Sequence, residues 1–198
     1  MKGRKTTTFL QPFSVSIDLE KAEMLQAKRH LVRKASDMRG YYADEAALER
    51  LMAEQGDPVH YEVFETPVPE EHGHLMYCTS SVQPGRVGDE YFMTKGHYHE
   101  HTEAAEIYLG LRGEGYVLMK TADGQTAFER MARGRMVYVP PYWAHRSVNT
   151  GSEPMVFFCV YPADAGHNYG DIAQEGFPMR AFLRGGNLEI VPSTGKGR

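Results

Sequence analysis

Basic residues are in short supply in this chain: 22 Lys and Arg stand against 26 Asp and Glu, a formal net charge of −4. Proteins that bind nucleic acid meet its phosphates with clustered Lys and Arg, so no nucleic-acid partner is expected and a small substrate is. Long apolar runs are missing as well. The longest, Met155 to Tyr161, is far too short to span a membrane, and the basic start MKGRKTTTF lacks the apolar core of a signal peptide. A soluble cytoplasmic protein with no membrane partner is expected. Only two cysteines occur, Cys78 and Cys159, each inside an apolar strand-like segment. That setting favours buried reduced thiols over a disulfide and offers no good nucleophile. No repeat and no low-complexity block interrupts the 198 residues, a length suited to one well-buried core.

What the chain does contain is a change of pattern near Val59. Before it, Asp44 to Gln55 predicts a surface helix: Asp44 can cap it, Leu48, Leu51 and Met52 share a face, and Gly56 followed by Pro58 stops it. Asp18 to Arg33 is also helix-compatible, with Leu25, Leu31 and Val32 on a loose stripe, and a second helix is expected there. From Val59 onward short β-rich runs are divided by turn signals at Pro84 to Gly88, Asp123-Gly124, Asn149 to Gly151 and Gly185-Gly186-Asn187. Many short strands predict an all-β sandwich or barrel. The division expected is an N-terminal extension with one or two short helices over 1–56 and a β-barrel over 57–198.

The chemistry concentrates in TKGHYHEHTEAAEIYLGLRGEG, Thr94 to Gly115. His97 and His99 are two apart, so on an extended strand both imidazoles point the same way. A carboxylate follows, either Glu103 or Glu106, and GRMVYVPPYWAHRSVN supplies a third imidazole at His145. Three imidazoles and one carboxylate suit a divalent first-row metal such as Fe, Mn, Ni or Zn. His101, His30, His60, His72 and His74 fall outside the pattern and read as solvent-facing. Tyr138, Trp143, Phe157 and Phe158 have a plain alternative role as core.

The spacing resembles the two signature motifs of the cupin superfamily. The first, two histidines one residue apart, then a glutamate, six residues and a glycine, fits both Glu103 with Gly110 and Glu106 with Gly113. The second fits Gly134, Pro140, His145 and Asn149, with Tyr142 where a typical cupin has glycine. Longer blocks narrow the likeness: SDMRGYY, DPVHYEV, PGRVGDEYFMTKGHYH, AEIY, VYVPPYWAHRSVN and YPADAGHNYG are similar to the cupin-type glucose-6-phosphate isomerases of archaea and bacteria.

That resemblance implies a jelly-roll cupin barrel (a double-stranded β-helix), a homodimer, and interconversion of glucose 6-phosphate and fructose 6-phosphate in glycolysis and gluconeogenesis. It implies one divalent metal per chain on His97, His99, Glu106 and His145, with Fe²⁺ first and Mn²⁺, Ni²⁺ or Zn²⁺ as substitutes. The AEIY context selects Glu106, also the candidate catalytic group, and makes Glu103 a loop residue. Substrate contacts carry over to Tyr61, Ser80, Thr94, Gly96, Tyr108, Tyr142, Phe157, Tyr161, His167 and Tyr169; Ser80 stands where the family has threonine. Another sugar-phosphate isomerase and a metal-dependent cupin oxygenase share the same ligand set and are the competing readings. With no basic cluster inside the motifs, phosphate recognition is expected from hydroxyls and backbone N–H groups, with Lys95 as a second candidate. Gly96 is expected to mark a bulge that reconciles the opposite strand parities of Thr94 and His97.

Overall fold

The computed structural model describes residues 10–193; the ends of the expected extension and barrel, 1–9 and 194–198, lie outside the described residues. The chain runs β1 (Ile17–Asp18), β2 (Glu23–Met24), β3 (Arg29–Lys34), a 3₁₀ turn at Ala35–Met38, α1 (Glu45–Gln55), β4 (Val59–Glu65) and β5 (Leu75–Val82). It continues through β6 (Arg86–Val87), β7 (Glu90–Tyr91), β8 (Glu106–Arg112), β9 (Glu114–Lys120), β10 (Thr126–Ala132), β11 (Met136–Val139) and β12 (Ala144–Asn149). Last come β13 (Met155–Pro162), α2 (Gly170–Glu175), β14 (Met179–Arg184) and β15 (Asn187–Pro192). This is the all-β jelly-roll class expected, with the 3₁₀ turn and α1 ahead of most of the strands and α2 after β13.

A six-stranded sheet, β11-β8-β13-β5-β4-β3, and a three-stranded sheet, β10-β9-β12, are antiparallel throughout, and residues of both line one cavity. Hydrogen bonding does not close the sheets into a continuous barrel. Strand parity sorts the side chains. Along β8, Glu106, Tyr108 and Gly110 are buried on the inner side, and Ile107 lies exposed on the outer side. Two glycines allow close approach: a Cβ on Gly110 would strike the Ala132 carbonyl, and one on Gly115 the Val148 carbonyl. No helix among the described residues is long and apolar enough to cross a membrane.

The helix over Asp44 to Gln55 forms as its sequence dictates. The Asp44 side chain accepts from the Ala47 N–H at 2.8 Å, and Gly56 ends the helix in the left-handed region at φ 70°. The helix expected over Asp18 to Arg33 is corrected: the stretch holds β1, β2 and β3, with Ala22 at φ 59°. A positive φ breaks a right-handed helix. In Arg29 to Lys34, pairing with β4 overrides the loose helical stripe, and Arg29, Leu31 and Arg33 pair with Glu65, Val63 and Tyr61.

His60 is a second correction. It is 0% exposed rather than solvent-facing, its ring stacked 3.8 Å from Phe92 and set edge-on to Tyr42 at 5.7 Å. Burial depresses it to about 4 from an ordinary 6.5. The unfolded chain therefore takes up the proton more readily, so stability is intact above about pH 6.5 and falls as the pH drops toward 4. The loss across that window should be about 3 kcal/mol. His60→Phe keeps the stacking and removes the titrating group, so urea titrations from pH 7 to 4 should show a flatter acid limb; an unchanged limb would locate the acid sensitivity elsewhere.

Candidate active site

The segment leading into the histidine pair lies against β12 and changes register on the way. Met93 pairs with Val148, and His97 pairs with His145, so four steps on one strand oppose three on the other. The extra residue is a bulge, with Gly96 at φ 77° and its missing Cβ leaving room for the Arg146 Cβ and the His145 carbonyl, each of which a Cβ would meet at 3.1 Å. Thr94, Lys95, Gly96 and His97 can thereby all face one cavity, which strict alternation forbids. Arg146, 1% exposed, braces the bulge from behind by donating to the Lys95 carbonyl at 2.7 Å.

One ligand atom each from His97, His99, Glu106 and His145 lies within 4.8 Å of all the others, a group able to hold a metal ion. The mutual backbone hydrogen bonds of His97 and His145, at 3.2 and 3.1 Å, put their rings side by side with centroids 4.5 Å apart. His99 Nδ1 lies 3.1 Å from the Ala104 carbonyl, and His145 Nδ1 lies 3.4 Å from the Trp143 carbonyl. A proton on each Nδ1 leaves Nε2 with a lone pair, the tautomer that metal binding requires.

The Nε2 atoms of His97 and His145 are buried without a hydrogen-bond partner, although His145 Nε2 sits 3.1 Å from Glu106 Oε2. Orphaned buried nitrogens around a carboxylate are costly in a bare protein and satisfied by a cation, so the residues fit a divalent metal. Burial, with His145 and His167 adding to it, holds His97 well below the usual imidazole range and so neutral. For Glu106 burial acts upward, but the neighbouring imidazoles of His145 and His99, at 3.1 and 3.2 Å, outweigh it and hold the carboxyl ionised. Glu103 is exposed in the turn before β8.

Above this cluster opens a cavity of about 420 Å³. Tyr61, Ser80, Thr94, Gly96, Tyr108, Phe157, Tyr161, His167 and Tyr169 all line it, nine of the ten residues expected to touch substrate. His167 and Tyr169 arrive on the loop after β13 and stand 4.5 and 5.5 Å from the His97 ring, centroid to centroid. Tyr142 is the exception. At φ 71° it occupies the glycine-like position of the motif, and its 57% exposed side chain lines a separate crevice with Tyr98 and Trp143. His101 is exposed, as expected.

Besides the neutral donors, two basic side chains, Arg29 and the second candidate Lys95, line the cavity. Arg29 is engaged by Glu65 and Glu70, each at 3.0 Å. Arg33, opposite Tyr61 on β3, went unnoticed in the sequence because it lies far from both motifs. Its Nε is buried without a partner, and among the described residues no carboxylate forms an ion pair with Arg33 or Lys95. Burial, aided by Tyr169, pushes the Tyr61 phenol up to about 12 while Arg33 acts against it, and burial followed by Arg33 lowers Lys95. Arg33 thus stands beside Tyr61, and the Lys95 ammonium lies over the Tyr41 ring, 5.2 Å from its centroid.

Comparison with known proteins supplies an independent line. A family profile described as Glucose-6-phosphate isomerase (GPI) matches residues 32–191. A glucose-6-phosphate isomerase of Thermococcus gammatolerans is 51% identical over 92% of this chain and 95% of its own length. One from Thermococcus litoralis is 49% identical over the same shares. Among solved structures, an oxalate oxidase aligns with 57% of this chain and 56% of its own at TM-score 0.46 and 16% identity, too low a similarity to carry any argument.

Proposed function

Because the chain belongs to the glucose-6-phosphate isomerase family, we propose that it interconverts glucose 6-phosphate and fructose 6-phosphate, with His97, His99, Glu106 and His145 as its metal ligands. The observation that carries this reading is the meeting, around one cavity, of a metal-type cluster with orphaned imidazole nitrogens and of Lys95, a cation lacking an acidic partner, with Arg33 next to the cavity-lining Tyr61 on the neighbouring strand. A sugar phosphate has the two matching ends: hydroxyls and a carbonyl for the first, a dianion for the second.

At the phosphate end, Lys95 and Arg33 supply charge, and neutral donors complete the seat. The Thr94 hydroxyl oxygen already accepts the Ser147 N–H at 3.0 Å, which leaves its O–H free to donate. Ser80, the Gly96 amide, Tyr61 and Tyr169 lie around the same cavity. At the reacting end Glu106 is the carboxylate available to carry a proton between C1 and C2, while Tyr161 and His167 contact the sugar hydroxyls. Phe157 and Tyr108, whose rings meet edge-on at 5.1 Å, wall the cavity and exclude water. When bound, a divalent metal supplies Lewis acidity toward the substrate oxygens. The donor set suits Fe²⁺, Mn²⁺, Ni²⁺ or Zn²⁺ alike, and the family resemblance favours Fe²⁺ among them. Tyr142 is assigned a supporting place outside the sugar seat.

A cytoplasmic, glycolytic homodimer completes the reading. Its support is an apolar strip across the outer face of the six-stranded sheet, where Tyr138 pairs with Ile107, Ile107 with Val160 and Val160 with Tyr77; Tyr138 is 57% and Ile107 39% exposed. Covering such a strip with a second copy removes it from water. Residues 1–56 are kept as an extension on the 57–198 barrel, joined through β3 to β4.

Arg33→Gln should raise the KM for fructose 6-phosphate about tenfold to a hundredfold, the worth of a charge-assisted contact, without changing metal content. Free fructose should be a poor substrate of the unaltered protein. If unphosphorylated sugars turned over as fast as the phosphates, the phosphate seat would have to be abandoned.

A further inference from the structure

We propose that Cys78 and Cys159 are a paired-thiol modification site in the cavity wall, which a small hydroperoxide converts to a reversible disulfide between β5 and β13. Neither residue has a part in the chemistry above. They are direct partners in the antiparallel register, on the cavity-facing side of their strands, with their sulfurs 2.8 Å apart. Directly opposed Cα atoms of antiparallel strands are separated by about 4.5–5.5 Å, inside the 4.4–6.8 Å that a disulfide spans. The bond can therefore form without either strand moving far.

Access selects the reagent. The two residues are only 4% and 3% exposed, and both line the 420 Å³ cavity. A water-sized oxidant reaches them there, and a bulky aromatic disulfide reagent does not. Pairing with Cys78 and burial push the Cys159 thiol up, so the oxidation is slow, in keeping with two sulfurs that are poor nucleophiles. The chemistry balances with hydrogen peroxide alone. One sulfur attacks a peroxide oxygen, the O–O bond breaks, and a sulfenic acid and one water result. The second sulfur then attacks the sulfenic sulfur, the S–O bond breaks, and a second water leaves with the remaining thiol proton. Two thiols lose two electrons, and the peroxide gains them.

The consequence reaches the metal-type cluster. Cys159 is also the register partner of Tyr108 on β8, two residues from Glu106; Cys78 Sγ lies 4.0 Å from the Ser80 Oγ, and both thiols line the same cavity as Glu106. A bond there fixes the wall that carries Tyr161 and Phe157 and reshapes the sugar seat.

The test uses the full chain loaded with zinc, which has no redox chemistry of its own. Hydrogen peroxide should lower the intact mass by about 2 Da, abolish both thiols titratable after denaturation, and yield one intrachain Cys78–Cys159 peptide, all reversed by dithiothreitol. Cys78→Ser should show no such mass loss and should instead accumulate a dimedone-reactive sulfenic acid at Cys159. Two thiols still titratable in the treated wild-type chain, or a disulfide between chains, would overturn the proposal whatever the variant does. A parallel assay rests on the isomerase reading: activity should fall and return with the disulfide's time course. A disulfide that forms and reverses while activity stays constant would overturn the link to the sugar seat and leave the isomerase reading intact.

Discussion

Replacing His145 with alanine should leave the purified protein with less than about a tenth of the metal held by the unaltered chain, and His97→Ala should do the same. His145 is 2% exposed, is fixed through its Nδ1 by the Trp143 carbonyl, and presents a buried Nε2 with no hydrogen-bond partner. Removing it takes away one of three nitrogen ligands and leaves Glu106 facing a void. His101→Ala provides the control, since its side chain is 65% exposed and forms no part of the cluster. Elemental analysis of the three variants purified alike is the measurement. Unchanged metal in both His97→Ala and His145→Ala would remove the ligand assignment.

The second large effect separates two glutamates that the superfamily spacing alone leaves equivalent. Glu106 is 3% exposed on the inner side of β8, within 3.2 Å of His99 and 3.1 Å of His145, whereas Glu103 is exposed in the preceding turn. Glu106→Gln keeps the shape and removes both the charge and the proton acceptor. With metal in excess, its rate of fructose 6-phosphate conversion should fall about 10²- to 10⁴-fold, the usual worth of a positioned acid–base group, while Glu103→Gln should lose little. The reverse ranking would return the ligand to Glu103.

Residues whose role is set by spacing were the legible ones. His97, His99 and His145 could be paired because strand parity and motif distance are properties of the chain itself, and the Gly96 bulge followed from a parity conflict visible in the same stretch. The α1 helix announced itself through Asp44 and Gly56.

What escaped depends on contacts between distant segments. Arg29 to Lys34 carries too many charges to look like a strand, because an edge strand pairs on one side only and one of those charges, Arg29, lines a cavity instead of a packed core. Arg33, proposed above for the phosphate end, drew no notice because it lies far from both motifs. The burial of His60 depends on Phe92 and Tyr42 closing over it, which no local pattern encodes. Tyr142 lines a different crevice from the other nine because motif position fixes its backbone, at φ 71°, but not the side of the wall on which its ring lies. That both cysteines are buried could be read locally; that they face one another needs the β5–β13 register.

The measurement closest to the central claim is a coupled assay of glucose 6-phosphate formed from fructose 6-phosphate, run on the chain as purified, after exhaustive chelation, and after return of Fe²⁺, Mn²⁺, Ni²⁺ or Zn²⁺. Activity should disappear with the metal and return at about one ion per chain, the stoichiometry of a single three-histidine, one-carboxylate site. A metal-free chain that kept its full rate would contradict the assignment of His97, His99, Glu106 and His145 as the centre of an isomerase site.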